Sequence, residues 1–287
     1  MVSIGLDVGT GFVKCVSEYG HVIFPSLFAY RDAGKWEEPQ GRIEAVGKQA
    51  KEFSKYPDAV IIRPVSEGRP IDERGFEALV SEAINRIYGT GSQKNKILDM
   101  EGNNSEICIV VGLPYDARSE KARLERIIEK IVGTKKYFIV PQVGGTLFEM
   151  DKKDAVVMSI GQGTTEIVAF DNQKPVFGTS IPQATDFITI GLAEFSYLHA
   201  SLFAKRGSEV RKNVEKLTDI LSNKLLSFMS ALDSKSHYDV IVSGGGIMIP
   251  GMKRSLERKL KMKVDVPRIP IMSNAMGLYK LAKQESS

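Results

Sequence analysis

Short apolar runs alternate with amphipathic segments along most of the chain. Six of the runs have the length of single strands and form two groups of three separated by short turns; they cover residues 2–7, 11–18, 21–28, 155–160, 166–170 and 175–180. Apolar runs joined by short glycine-containing turns are typical of antiparallel meanders. Two meanders of one design predict two similar domains, with a ligand in the cleft between them.

Several segments outside the meanders have the spacing of helices. Residues 73–88 follow Asp72, a suitable N-cap, and carry apolar side chains three and four positions apart from Phe76 onward. Helices are likewise predicted over 119–132, 192–204 and 210–232. Apolar runs at 107–112 and 137–140 predict further strands, residues 24–63 a small excursion from the main sheet, and residues 89–104 a loop. This alternation of strands and helices predicts an α/β fold.

Three glycine-rich turns, each placed after an apolar run, are the strongest candidate for a functional site. They contain Gly9, Thr10 and Gly11, then Gly161, Gln162, Gly163 and Thr164, then Gly244, Gly245 and Gly246. The oxygens of a triphosphate crowd the backbone, so a loop that holds them needs available N–H groups and few Cβ atoms. Together the three turns predict a nucleotide bound from several sides.

Residues in or beside the first two turns add chemistry that a phosphate requires. The hydroxyls of Thr10, Thr164 and Thr165 can donate hydrogen bonds, and Lys14 offers a positive point charge. Asp7 ends the first predicted strand, where a carboxylate can hold Mg²⁺ through the waters of the ion.

Two common nucleotide-binding motifs are excluded. The chain has no G-x-x-x-x-G-K-[ST] segment, so it is not a P-loop protein. The first turn lacks the third glycine of a dinucleotide fingerprint and leads into another apolar run, as in a hairpin, which disfavours a Rossmann fold.

Composition and charge narrow the class of protein. The 287 residues are 43% hydrophobic and carry a net charge of +4 with both signs interspersed, which is typical of a soluble surface and disfavours direct nucleic-acid binding. Basic residues gather at 253–263, where a helix would present them to solvent; contact with an acidic partner or DNA is the alternative.

Cysteine and histidine usage points away from a metal centre. Cys15 and Cys108 lie in apolar runs and predict buried free thiols, and the three histidines are far apart. No run approaches the roughly 18 apolar residues of a membrane span. The first strand begins at Val2 and leaves no room for a signal peptide, so we expect a cytoplasmic protein with no membrane span.

Taken in order, these motifs resemble those of the actin-like ATPases, the group of the actin, MreB and ParM type. Residues 7–14, with Asp7, the glycine turn and Lys14, are similar to the first phosphate loop of actin. Residues 243–251, Ser-Gly-Gly-Gly-Ile-Met-Ile-Pro-Gly, are similar to its adenosine motif. Residues 62–64 with 71–72, and residues 273–277, resemble segments of the bacterial rod-shape actins. The resemblance spans nearly the whole chain.

The resemblance implies a fold and a function. The fold would be the actin-like, ribonuclease H-like duplicated α/β fold of two domains, with nucleotide in the interdomain cleft. Domain I would comprise residues 1–143, with the excursion 24–63 and a returning C-terminal helix 274–287. Domain II would comprise 144–273, with a reduced upper subdomain at 191–238. The protein would bind ATP, polymerise into cytoskeletal filaments and hydrolyse ATP slowly.

The resemblance also implies roles for individual residues. The β- and γ-phosphates would be held by Gly9, Thr10, Gly11 and Lys14 from domain I and by Gly161, Gln162, Gly163 and Thr164 from domain II. The adenosine would lie along Gly244, Gly245, Gly246 and Met248. Asp7 would hold Mg²⁺, and Gln142, which follows the last strand of domain I, would orient the attacking water.

Two departures from the family pattern leave other functions open. The second phosphate loop of the family usually starts with Asp, where this chain has Ser159, which puts metal affinity and hydrolysis in question. The short segment 191–238 puts the usual contact along a filament in question. A nucleotide-binding adaptor that does not polymerise is therefore an alternative, as is a sugar kinase of the same fold. Expected partners are further copies of the chain and an adaptor protein, free or bound to DNA.

Five of these residues also have structural interpretations. Lys14 can be a solvated strand residue, Gln142 can satisfy backbone groups at a turn, and Met248 can fill the core. Thr164 and Thr165 can simply cap their loop.

Overall fold

The computed structural model describes residues 1–34, 41–89, 107–189, 200–232 and 238–286. The predicted loop 89–104 and the first part of the predicted helix 192–204 fall mainly outside these ranges. The chain divides into two compact units. Unit 1 consists of Met1–Leu113, Ser119–Val140 and Tyr279–Ser287, and unit 2 of Pro114–Arg118 and Pro141–Leu278.

The described residues form fourteen strands and seven α-helices. The strands are β1 Val2–Val8, β2 Phe12–Ser17, β3 Gly20–Pro25, β4 Phe28–Asp32, β5 Arg42–Val46, β6 Val60–Ile62, β7 Val65–Ser66, β8 Arg69–Pro70, β9 Ile107–Leu113, β10 Tyr137–Pro141, β11 Ala155–Ile160, β12 Thr165–Asp171, β13 Lys174–Ile181 and β14 Asp239–Ser243. The helices are α1 Lys48–Glu52, α2 Glu73–Gly89, α3 Lys121–Val132, α4 Gln142–Glu149, α5 Ala200–Ser230, α6 Met252–Leu260 and α7 Ser273–Ser286.

A five-stranded sheet of order β10-β9-β1-β2-β3 forms the centre of unit 1. β1 pairs antiparallel with β2 and parallel with β9, and its central place explains why it is buried after its first residue. α2 packs on β2 and β3. The predicted N-cap is confirmed, because Asp72 Oδ1 accepts a hydrogen bond from the Gly75 amide at 2.6 Å.

Two further parts of unit 1 agree with the sequence pattern. α3 buries Leu124, Ile127 and Ile128, and it ends at Gly133, which has the left-handed backbone conformation common at helix C-termini. The excursion predicted over 24–63 contains a separate three-stranded sheet of order β5-β4-β6, with α1 packed on β4 and β5.

Unit 2 repeats the plan of the first sheet. Its order is β13-β12-β11-β14, in which β11 pairs antiparallel with β12 and parallel with β14, as β1 does with β2 and β9. α4 covers one face through Val143 and Leu147, and α5 and α6 cover the other. Both predicted meanders are therefore confirmed.

The structure corrects one predicted helix break and adds one helix. The helices predicted over 192–204 and 210–232 were expected to be separate, but α5 runs without a break from Ala200 to Ser230. Gly207 does not interrupt it, because a helix tolerates one interior glycine among good helix formers at a modest cost. α4 was not predicted, since Gly144 and Gly145 disfavour a helix.

Both cysteines are buried free thiols, as predicted. Burial raises the pKa of the Cys15 thiol to about 12, so the thiolate is not populated at neutral pH.

Candidate functional site

The first glycine turn connects β1 to β2 and is closed by its own backbone. The Gly9 amide donates a hydrogen bond to the Phe12 carbonyl at 3.1 Å, and the Ser26 hydroxyl donates to the Gly9 carbonyl at 2.6 Å. A Cβ atom at Gly9 would lie 3.1 Å from Lys14 Nζ. Glycine at this position therefore permits the close approach of Lys14.

Three donors at the tip of this turn have no partner among the described residues. No described residue accepts a hydrogen bond from the amide of Thr10 or of Gly11. Thr10 Oγ1 is buried and likewise has no hydrogen-bond partner in the described ranges. Buried polar atoms are normally satisfied, so this hydroxyl is an exception that needs an explanation. Two backbone amides beside a hydroxyl are the donors that an anion such as phosphate requires.

Lys14 forms an ion pair with Asp7 within the first sheet. The two residues are cross-strand partners of β2 and β1, and Lys14 Nζ lies 3.0 Å from Asp7 Oδ2. Only 13% of the Lys14 side chain and 4% of the Asp7 side chain are exposed. The interpretation of Lys14 as a solvated strand residue is therefore wrong.

The second glycine turn connects β11 to β12 in unit 2. The Gly161 amide donates to the Thr164 carbonyl at 2.9 Å, and a Cβ atom at Gly161 would lie 2.8 Å from that oxygen. Within the described ranges, the amides of Gly163 and Thr164 donate to no protein group. The turn thus has the same two properties as the first: a closed base and available amides.

A short helical segment that follows β13 supports the second turn. Thr185 donates to the Gly161 carbonyl from its amide and from its hydroxyl, at 3.2 and 3.1 Å. The Gln162 side chain donates to Asp186 Oδ1 at 3.0 Å, and the Asp186 amide donates to the Gln162 carbonyl at 2.9 Å. Neither Thr185 nor Asp186 was predicted from the sequence to have a role. The Gln162 side chain supports the loop, which leaves the backbone of the turn to meet a ligand.

The Thr165 hydroxyl also has a structural partner. It donates to the Gln183 carbonyl at 2.8 Å, so it is not an available phosphate donor. Thr164 is partly exposed, and its side chain makes no hydrogen bond with a described residue.

A row of polar residues crosses the sheet of unit 2 next to the second turn. Ser159 pairs in register with Glu166 and with Ser243, and Glu166 pairs with Ser180. Directly paired residues project from the same face of a sheet. Glu166 is 1% exposed, and its Oε1 accepts a hydrogen bond from the Tyr115 amide at 2.6 Å.

Glu166 was not singled out from the sequence. Its position directly after Thr164 and Thr165 is the sequence feature that could have indicated it. Glu166 is thus a buried carboxylate beside Ser159.

The third glycine turn uses its glycines mainly for packing. Gly244 has a φ of 84°, which favours glycine, and a Cβ atom there would lie 2.4 Å from the Ile160 carbonyl. A Cβ atom at Gly246 would lie 2.3 Å from Ile160 Cγ2. Gly245 is buried as well. Contact with β11 therefore accounts for Gly244 and Gly246 without a ligand.

Met248 is 49% exposed, so the interpretation that it fills the core is wrong. It ends the short 3₁₀ helix Gly245–Met248, and a half-exposed thioether is a suitable apolar neighbour for a flat ring.

Gln142 is the first residue of α4 and is half-buried. Pro141 precedes it with an extended ψ of 126°, so the helix begins at Gln142. No described residue forms a hydrogen bond with its side-chain amide. The structure thus gives no support to the interpretation that Gln142 satisfies backbone groups at a turn.

Much of the basic cluster at 253–263 is neutralised by neighbouring carboxylates. On α6, Arg258 lies 3.0 Å from Glu215 of α5, Lys259 pairs with Asp219, and Lys253 lies 3.8 Å from Glu257. Intramolecular pairing explains these residues better than an acidic partner does.

The described ranges contain no group of three or more His, Cys, Asp or Glu side chains that could hold a metal ion. Among the same residues, no helix is both long enough and apolar enough to cross a bilayer.

Comparison by sequence finds no match: no protein-family model and no curated protein is significantly similar to this chain. Comparison by structure finds matches over almost its full length. The chain is similar to MreB 5 of Spiroplasma citri bound to AMPPNP, with a TM-score of 0.77, 14% identity, and coverage of 99% of this chain and 97% of the other.

Two further solved structures have comparable similarity. For the MamK double helical filament the TM-score is 0.75, with 17% identity and 98% of each chain covered. For the pCBH ParM non-polymerisable quadruple mutant the TM-score is 0.69, with 18% identity and 99% of each chain covered. These similarities, together with the repeated sheet plan of the two units, establish that this chain has the two-domain actin-like fold.

Proposed function

We propose that this chain binds ATP, assembles with further copies of itself into cytoskeletal filaments and hydrolyses ATP slowly. The observation that carries the proposal is the first glycine turn, where two available amides adjoin a buried hydroxyl without a described partner. A fold shared with an MreB 5 structure bound to AMPPNP supports an adenine nucleotide as the ligand.

The phosphates are assigned to the first two turns. Thr10 and Gly11 would donate from their amides, Thr10 also from its hydroxyl, and Gly163 and Thr164 from theirs. Lys14 would add a positive charge beside the first turn. That one nucleotide contacts loops of both units stays a prediction.

Among the residues assigned to the phosphates and the metal, Asp7 is the one carboxylate that could bind Mg²⁺. Mg²⁺ commonly keeps several waters and binds through one or two carboxylates together with substrate phosphates, so Asp7 alone can meet this need. The ion, when bound, would neutralise phosphate charge. Lys14 already neutralises one oxygen of Asp7, and Ser159 adds no charge, so we expect weak metal affinity and slow turnover.

Gln142 is assigned to the water that attacks the terminal phosphate. An amide can orient a water through its carbonyl oxygen and its N–H groups, but it is a poor proton acceptor. Slow hydrolysis is the expected consequence. The adenosine is assigned to Gly244–Gly246 and Met248, of which Met248 offers exposed apolar surface.

Self-association is proposed from the fold shared with the MamK double helical filament. Identical subunits that contact one another head to tail propagate into a filament when the rotation does not close a ring.

The test has two arms. Calorimetric titration with ATP and Mg²⁺ measures binding. The assigned loop is supported if the wild type binds ATP, Thr10→Val binds it more weakly and Thr10→Ser binds it as the wild type does. Light scattering and negative-stain electron microscopy with ATP, with ADP and without nucleotide measure assembly. Absence of ATP binding contradicts the whole proposal.

Ser159 favours a second candidate, a nucleotide-binding adaptor that neither hydrolyses ATP nor polymerises. In that case ATP binds, but scattering does not rise over a wide range of protein concentrations. Phosphate release would then stay at the background rate.

A further inference from the structure

Thr146, one turn after Gln142 on α4, lies at the centre of a buried hydrogen-bond cluster. Its hydroxyl oxygen is 2.7 Å from Asn274 Oδ1, 2.8 Å from Ser273 Oγ and 3.1 Å from Ser243 Oγ. Thr146 and Ser243 are fully buried, Ser273 is 1% exposed and Asn274 is 7% exposed. A hydroxyl has one proton and two lone pairs, so Thr146 can donate to Asn274 Oδ1 or to Ser243 Oγ, but not to both at once, and it can accept from Ser273 Oγ.

The partners of Thr146 come from two other elements. Ser243 ends β14 and directly precedes the third glycine turn, while Ser273 and Asn274 begin α7. The Pro270 carbonyl accepts a hydrogen bond from the Gly244 amide at 3.0 Å and lies 2.9 Å from the Ser273 hydroxyl, whose one proton goes either to this carbonyl or to Thr146. The cluster therefore closes a ring that joins the glycine turn, α4 and the start of α7.

The backbones of α4 and α7 are in close contact at the same place. A Cβ atom at Gly145 would lie 2.1 Å from the Asn274 carbonyl oxygen, and one at Gly277 would lie 1.6 Å from the Gly145 carbonyl oxygen. Such close packing fixes the distance between α4 and α7. It does not stop one helix from sliding along the other, which requires directional bonds. The Thr146 hydroxyl supplies those bonds.

We propose that Thr146 is a positioning residue, which holds the first turn of α4, with Gln142, in register with the strand end that leads into the third glycine turn. A change at Ser243 or Gly244 is then transmitted to Gln142 and to α7, which continues from unit 2 into the residues of unit 1. The inference rests on the proposed function for the roles of Gln142 and the third turn. The geometry of the cluster itself does not depend on those roles.

The test compares Thr146→Val, Thr146→Ser and Thr218→Val. Valine keeps the shape of threonine but leaves the partner atoms buried without the hydroxyl. Thr218 is a matched control, because it is fully buried in α5 and its hydroxyl donates to the Val214 carbonyl at 2.6 Å, outside the cluster. We expect Thr146→Val to lower kcat for phosphate release about fivefold or more and to raise KM less, because the assigned water-orienting group is displaced. Thr146→Ser should restore both values, and Thr218→Val should change only the melting temperature.

Amide hydrogen exchange without nucleotide tests the cluster independently of ATP. Thr146→Val should speed exchange together in residues 142–146, 243–248 and 270–277, and Thr218→Val should not. Faster exchange in α4 alone would overturn the inference even if the wild type bound no ATP. Wild-type kcat and KM in a destabilised Thr146→Val protein would overturn it as well, since Thr146 would then be purely structural. Failure of the wild type to bind ATP would instead count against the proposed function.

Discussion

Lys14 Nζ lies 3.0 Å from Asp7 Oδ2, across two antiparallel strands and almost out of contact with solvent. Each charge is largely desolvated and depends on the other for compensation. The residue assigned to the phosphate and the residue assigned to the metal are therefore one electrostatic unit. A nucleotide with Mg²⁺ would give Lys14 a negative partner and Asp7 a positive one.

Lys14→Met should lower the free energy of unfolding by about 3 kcal/mol, because it leaves the Asp7 carboxylate buried without its cation. The double variant Asp7→Asn/Lys14→Met should recover most of the loss. Urea unfolding of the wild type, both single variants and the double variant measures the coupling. Additive effects of the two substitutions would show that the ion pair contributes nothing of its own.

Thr10→Val should leave stability unchanged or slightly increased, because the hydroxyl that it removes has no partner in the described structure. ATP affinity should fall about tenfold, the usual size of one hydrogen bond to a charged group. Thermal unfolding and calorimetric titration measure the two effects. Thr10→Ser is the control, and an equal loss of affinity there would assign the effect to loop shape.

Gln142→Ala should slow phosphate release about tenfold or more while ATP affinity stays nearly intact, because the assigned role begins only when the water attacks. Single-turnover phosphate release and an equilibrium titration separate the two quantities. Gln142→Glu, which adds a stronger base, should release phosphate faster than wild type. Unchanged turnover in Gln142→Ala would remove this residue from the mechanism.

Ser159→Asp should raise Mg²⁺-dependent turnover, because it introduces the carboxylate that the actin-like ATPases usually have at this position. The structure adds a cost, since the new carboxylate would stand beside Glu166, its cross-strand partner. Like charges directly opposite destabilise, here by about 1 kcal/mol. Melting temperatures should therefore fall without Mg²⁺ and recover with it, and Ser159→Asn should do neither. If turnover and Mg²⁺ dependence both stay at wild-type values, the metal is held elsewhere.

Gly277→Ala and Gly207→Ala should change stability in opposite directions although both glycines lie inside helices. A Cβ atom at Gly277 would lie 1.6 Å from the Gly145 carbonyl oxygen, so we expect a loss of about 2–4 kcal/mol. At Gly207 the atom nearest to an added Cβ is the flexible end of Arg211 at 3.4 Å, so alanine should gain about 0.5–1 kcal/mol. Chemical unfolding of both variants measures this. Similar losses in both would contradict close packing at Gly277.

Local patterns were sufficient for much of the fold. Apolar runs of strand length, separated by short glycine-containing turns, located both meanders. β1, β11 and β12 are buried almost throughout, because neighbouring elements cover both of their faces. The helix after Asp72 followed from its cap and its apolar spacing, and the burial of Cys15 and Cys108 from their apolar neighbours. The order of the glycine motifs identified the actin-like fold even though overall identity to the matched structures is only 14–18%.

Tertiary structure decided what depends on residues distant in sequence. α4 forms despite Gly144 and Gly145 because Gly145 meets Asn274 and Gly277 at a close crossing, and Thr146 bonds Asn274 across 128 positions. In the same way, Asp186 holds Gln162, and Gly246 packs on Ile160. The spacing of apolar residues indicates which face of a helix or strand is buried. Which residues pack against that face is decided only when the chain has folded. For that reason the sequence determined the elements and the candidate loops, and the structure decided what holds each loop in place.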